Sequence, residues 1–163
     1  MNKQQENKME RKIYYKEGYK AQLSREYSIQ TRIYPQETIT SNFIILYPTG
    51  ILVIKKGYAW DFASGPTIDT ENCKRGSLVH DALYQLLREG DLVEAMHSED
   101  ERSLEDEHER IRKIADDHLS EICKEDGMSG IRAELWEWAV NKFAHGSSVE
   151  EGARPELTAG VDA

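Results

Sequence analysis

The hydrophobic period of this chain changes once, near residue 73, and that change constrains the fold more than any other feature. Before it, apolar residues come in short β-branched and aromatic runs; after it, they recur every three or four positions. Phe43-Ile44-Ile45-Leu46-Tyr47 and Ile51-Leu52-Val53-Ile54 flank a Pro48-Thr49-Gly50 turn, the pattern of a β-hairpin. Residues 13–15 and 26–34 predict further strands. In the second, Tyr27, Ile29, Thr31 and Ile33 share one side, and Pro35 closes the run. Tyr58-Ala59-Trp60 predicts a short extended piece.

In the second half, Leu78, Val79, Ala82, Leu83, Leu86 and Leu87 predict a helix over 74–88, with Gly90 as its stop. Ile111, Ala115, Leu119 and Ile122 predict a helix over 103–124. Ile131, Leu135, Trp138 and Phe143 predict a third over 130–144. Trp136 and Trp138, two apart, cannot share one helix face, which gives Trp138 to the core and Trp136 to its rim. Strands followed by helices imply an α+β fold, a small antiparallel sheet in the N-terminal half packed against about three helices. With 163 residues one domain is expected, over 11–145, after a flexible N-terminus at 1–10. Residues 90–109 read as an acidic insertion or the solvated lead-in of the next helix. Residues 146–163 are Ser, Gly, Glu and Ala without period, and read as a disordered tail.

Charge narrows the function classes. The chain has 21 Lys+Arg against 30 Asp+Glu, a formal net charge of −9. Residues 1–20 carry a net +3 and residues 89–126 a net −10. That balance argues against general nucleic-acid binding, which calls for a basic footprint. No apolar run approaches the roughly 18–20 residues of a membrane span, and the polar N-terminus lacks the apolar core of a secretory signal. Cys73 and Cys123, 50 positions apart, make neither a metal-type pair nor a disulfide framework. A reducing, cytoplasmic setting is the default expectation.

Two segments could carry chemistry. One is the loop-like run Trp60-Asp61-Phe62-Ala63-Ser64-Gly65-Pro66-Thr67-Ile68-Asp69; the other is Leu78-Val79-His80-Asp81-Ala82-Leu83-Tyr84. On a helix His80 and Tyr84 share a face, with Asp81 about 100° round from His80. Histidine serves as base or metal ligand near neutral pH, and a carboxylate orients it or shares a cation. The plainer reading makes Asp61 a turn residue, Ser64 and Thr67 loop hydrogen-bonders, and Tyr84 a half-buried helix residue.

These residues resemble a phage and prophage family known as domain of unknown function 1353. It shows an Asp-x-Ala-Ser-x-Pro loop, then a His-Asp-x-x-Tyr helix, then a helix with an Arg ahead of an Ala-Asp pair. Asp61, Ala63, Ser64 and Pro66 match the loop. His80, Asp81, Leu83 and Tyr84 match the first helix, and Arg112, Ala115 and Asp116 the second. The likeness spans about residues 57–144. It implies a phage or prophage origin and the cytoplasm of a bacterial host, and it groups Asp61, Ser64, His80, Asp81, Tyr84 and Asp116 as one recurring site. The His-Asp-x-x-Tyr string is also similar to the helix of secreted phospholipases, disulfide-rich enzymes in which the His is a base and the Asp binds calcium.

Two main readings of the site follow. In the first it is a metal-dependent hydrolase: Asp61, His80 and Asp116 bind zinc, manganese or magnesium, His80, Asp81 and Asp61 act in catalysis, and Ser64, Thr67, Tyr84 and Arg112 contact the substrate. A metal-free variant uses a His80–Asp61 or His80–Asp81 dyad. In the second reading the same side chains form a buried structural network in a phage accessory protein that binds a host protein or a small molecule. His118, two residues after Asp116, faces away from it and is not counted as a ligand.

Overall fold

The computed structural model describes residues 11–16, 21–60, 73–89, 91–97, 103–128 and 156–160, with 15, 16 and 156–160 described by backbone alone. The strands are β1 (Lys12–Lys16), β2 (Ala21–Leu23), β3 (Tyr27–Gln30), β4 (Ile39–Thr40), β5 (Ile44–Leu46), β6 (Ile51–Ile54) and β7 (Ala59–Trp60). Helices α1 (Lys74–Glu89), α2 (Asp91–Met96) and α3 (Leu104–Glu125) follow, then a last strand, β8 (Glu156–Gly160). The α+β class expected from the change of period is what forms.

The strands make two antiparallel sheets, ordered β7-β2-β1-β8 and β3-β6-β5-β4, where one sheet was expected. Alternation marks strands and faces but names no partners, so the sequence pattern could not separate the two layers. The predicted hairpin is β5–β6, paired Ile44↔Ile54 and Leu46↔Leu52. All four of these residues are buried, as a period of two requires. Gly50 closes its turn at φ +80°, where a Cβ would lie 2.6 Å from Gln30 Nε2 and 2.9 Å from the Thr31 carbonyl oxygen. Regular pairing in the 26–34 run stops at Gln30. There the Thr31 N–H turns to the Gly50 carbonyl and the Arg32 N–H to His118 Nε2, although Thr31 and Ile33 keep their inward side.

Helix α1 buries one stripe, including Leu78, Val79, Ala82, Leu83 and Leu86, against the sheets and α3. Helix α3 starts where a Ser103 cap accepts the Asp106 N–H at 3.1 Å. The two helices run antiparallel, since Arg75 meets Asp126, His80 meets Asp116, and Tyr84 meets Arg112. Gly76 permits a close approach: a Cβ there would lie 2.9 Å from Cys123 Sγ and 3.2 Å from the Leu119 carbonyl oxygen.

Two expectations need correction. The 90–109 stretch is not wholly an insertion or lead-in, because Asp91–Met96 is a short helix. It buries Leu92 and Val93, and the Ala95 carbonyl receives the Gln36 N–H at 2.9 Å. The tail expected to be disordered over 146–163 contains β8, which pairs from Lys12↔Gly160 to Lys16↔Glu156. Its sequence, Glu-Leu-Thr-Ala-Gly, lacks a strong strand signal; the open edge of β1 supplies the hydrogen-bond partners. The helix predicted over 130–144, with Trp136 and Trp138, lies outside the described residues, as does the N-terminus at 1–10.

Candidate active site

The seam between α1 and α3 brings four of the expected site residues together. His80 Nε2 lies 2.8 Å from Asp116 Oδ1, and the Tyr84 hydroxyl donates to the same oxygen at 2.7 Å. Arg112 Nε donates to the Tyr84 oxygen at 3.2 Å. The spacing explains the convergence. His80 and Tyr84 are one turn apart on α1, Arg112 and Asp116 one turn apart on α3, and the helices cross these turns face to face. The His80 and Tyr84 rings also stack, 4.1 Å between centroids.

Burial decides the electrostatics. The His80 side chain is 4% exposed and that of Asp116 13%. Burial opposes a charged imidazolium, but the Asp116 hydrogen bond, followed by the Asp81 carboxylate, outweighs it, and the His80 pKa is raised above its ordinary 6.5. For Asp116, burial favours the neutral acid, while the hydrogen bonds from His80 and Tyr84 prevail and hold the carboxyl below its ordinary 3.8. The two shifts agree in sign, as an ion pair demands. Burial, then the Asp116 carboxylate, raises the Tyr84 phenol, so Tyr84 stays a donor.

A carboxylate can only accept, so Nε2 of His80 carries the proton that Asp116 receives. In the neutral ring the other nitrogen, Nδ1, is unprotonated and can act as a base; in the imidazolium that the raised pKa favours, both nitrogens carry a proton. Its nearest described carboxylate, Asp81 Oδ1, is 4.0 Å away, beyond hydrogen-bond reach, and the Asp81 side chain is 40% exposed. The chain enters residues 61–72 from Trp60, whose indole N–H donates at 3.1 Å to Ser77, one turn before His80. Asp61, Ser64 and Thr67 themselves lie outside the described residues.

Of the triad Asp61, His80 and Asp116 put forward for a metal, the described residues place His80 beside Asp116, and Asp61 lies outside them. His80 Nε2 and Asp116 Oδ1 are spent on each other. Among the described residues no three His, Cys, Asp or Glu side chains are arranged to hold a metal ion. Arg112, expected to contact substrate, donates to the Tyr84 hydroxyl from the rim, with a weaker contact to Glu109 at 3.5 Å.

Two arrangements gave no signal in the sequence. Arg75, 2% exposed, forks onto the equally buried Asp126 with contacts of 2.8–3.1 Å, and also reaches Glu125 at 2.8 Å and the Tyr27 hydroxyl at 3.1 Å. It follows apolar spacing badly and would be placed on the surface by type alone. This cluster borders a cleft of about 440 Å³ between β3 and the C-terminal half of α3, lined by Arg32, Tyr34, His118 and Glu121 among others. His118 there accepts the Arg32 N–H at 3.0 Å, and burial lowers its pKa, so it is neutral and turned away from Asp116, as its spacing predicts. The second missed arrangement is the pair Cys73 and Cys123, whose sulfurs lie 3.0 Å apart. No protein-family model, curated protein or solved structure matches this chain.

Proposed function

We propose that this protein is a hydrolase in which His80 Nδ1 takes a proton from water and Asp116 holds the imidazole in the tautomer that permits it. The carrying observation is the 2.8 Å bond between His80 Nε2 and Asp116 Oδ1, which in the neutral ring, above the raised His80 pKa, leaves Nδ1 as the acceptor. The resulting hydroxide attacks an acyl or phosphoryl centre, and the imidazolium then returns the proton to the leaving group. Asp116 favours that imidazolium by charge, and Tyr84 keeps the carboxylate from rotating away. The substrate classes this chemistry admits are carboxylic esters, phosphoesters and amides. The setting is the one the family likeness implies, a phage or prophage protein in the cytoplasm of its bacterial host.

Zinc, manganese or magnesium stays a proposal of a different form. On the described side of the site such an ion would draw on His80 Nδ1 and the half-exposed Asp81 carboxylate, not on Asp116. The test is a panel of carboxylic-ester, phosphoester and amide substrates with wild type, His80→Gln and Asp116→Asn. The proposal expects hydrolysis that survives chelation, is lost in His80→Gln, and falls by about 10²–10⁴ in Asp116→Asn. Activity abolished by chelation and restored by one ion moves the water to a metal. No turnover on any substrate class, with both variants folded, overturns the hydrolase reading.

A second reading has its own observation. His80 is 3% exposed and its Nε2 is satisfied internally, as in a network kept for fold specificity in an accessory protein that binds a host protein or small molecule. That reading expects both variants to lose stability and no activity to be found.

A further inference from the structure

The geometry points to a dithiol–disulfide site: Cys73 and Cys123 are placed to be oxidised to an intramolecular disulfide that staples α1 to α3 below the His80–Asp116 pair. The sulfurs are 3.0 Å apart, both side chains are buried, and Met128 Sδ closes the site 3.7 Å from Cys73. These are the two cysteines of the chain, so the pairing has no competitor. Gly76 sets the approach, since any side chain there would strike Cys123. The antiparallel seam gives the site its meaning. Cys73 precedes His80 by seven positions and Cys123 follows Asp116 by seven, two helical turns on each strand of the seam. A bond between the sulfurs fixes the register that puts Nε2 against Oδ1. It also anchors the point where the chain returns from residues 61–72 into α1.

The chemistry balances with a small-molecule disulfide as oxidant. A thiolate of the pair attacks one sulfur of the oxidant and expels a thiolate. The second cysteine then attacks the mixed disulfide and expels the other. Two protein thiols become one disulfide, and the oxidant becomes two thiols. The hydrogen bond with Cys73, and then burial, disfavour the Cys123 thiolate, so exchange proceeds through local opening and is slow, and the bond, once formed, is shielded from reductant.

The experiment uses the full chain incubated with oxidised glutathione, then denatured, alkylated and weighed intact without reductant. The expected result is a monomer lighter by two hydrogens, with no alkylated cysteine, and a Tm higher by about 10 °C for a closed loop of this length. Reductant added after unfolding restores both thiols, and Cys123→Ser shows no Tm gain. Both thiols still free after this incubation, and again after a second sample is unfolded and refolded in oxidised glutathione, would overturn the inference. So would a persistent glutathione adduct, disulfide-linked dimers, or a Tm that falls on oxidation. None of these outcomes depends on whether His80 hydrolyses anything, so the two proposals fail separately.

Discussion

Asp116→Ala tests the seam as a charged network. The substitution removes the acceptor of two hydrogen bonds at once, from His80 Nε2 at 2.8 Å and the Tyr84 hydroxyl at 2.7 Å. Tyr84 is half-buried, so water takes over part of its donation, whereas Arg112, itself a donor to the Tyr84 oxygen, does not. His80 has no such relief, because its ring is 3% exposed and its Nε2–H is left without an acceptor, at about 1–3 kcal/mol. With a reduced share for Tyr84, the expected destabilisation is about 2–4 kcal/mol. Its pH dependence has a fixed sign. His80 is raised above 6.5 in the folded state, so its contribution is full below that value and fades as pH rises through the folded pKa. Asp116 is held below 3.8, so its contribution is present above that value and fades as pH falls through the folded pKa. The penalty of Asp116→Ala should therefore be largest between these two ordinary values and smaller near pH 9.5. Urea unfolding of both proteins near pH 5.5 and near pH 9.5 measures it. A penalty below about 0.5 kcal/mol, or one equal at both pH values, would refute the argument that this pair is ionised and buried.

Three further predictions address the frame. Arg75→Met removes the guanidinium that forks onto the Asp126 carboxylate, whose side chain is 2% exposed, and should cost about 3–5 kcal/mol in urea unfolding, part of which Asp126→Leu restores in the double variant. Gly50→Ala meets both a positive φ and the Thr31 carbonyl at 2.9 Å, and should lower stability by more than about 1 kcal/mol without altering the fold by circular dichroism. Hydrogen exchange should show protection of amides within Glu156–Gly160, where the pairing with β1 holds them; exchange at the rate of an unstructured peptide would remove that strand.

The class of the fold was legible because burial on both sides of residue 73 follows simple periods. Leu78 to Leu87 recur at helical spacing and are buried; Ile44, Leu46, Leu52 and Ile54 alternate and are buried. The limits of α1 and α3 were readable within a residue or two, 74–88 against Lys74–Glu89 with Gly90 as the stop, and 103–124 against Leu104–Glu125. What escaped was long-range. Nothing in Glu-Leu-Thr-Ala-Gly announces a strand, because its partner, β1, lies at the other end of the chain. Leu92 and Val93 were hidden in an acidic stretch too short to show a period. His80, Tyr84, Arg112 and Asp116 were each picked out, as ligands and contacts in one reading and as members of a buried network in the other. That His80 and Asp116 bind one another, with Tyr84 on the same oxygen, follows only from the antiparallel pairing of α1 with α3. The same pairing brings together Cys73 with Cys123, and Arg75 with Asp126.

The central claim is that His80 carries its proton on Nε2, given to Asp116, with Nδ1 left to accept one. Nitrogen-15 NMR of the histidine rings through a pH titration tests it directly. The account predicts that the neutral His80 ring is the Nε2–H tautomer, that its pKa lies above 6.5, and that Asp116→Asn lowers that pKa. A neutral ring protonated on Nδ1, or a His80 pKa below 6.5 in the folded wild type, would contradict it.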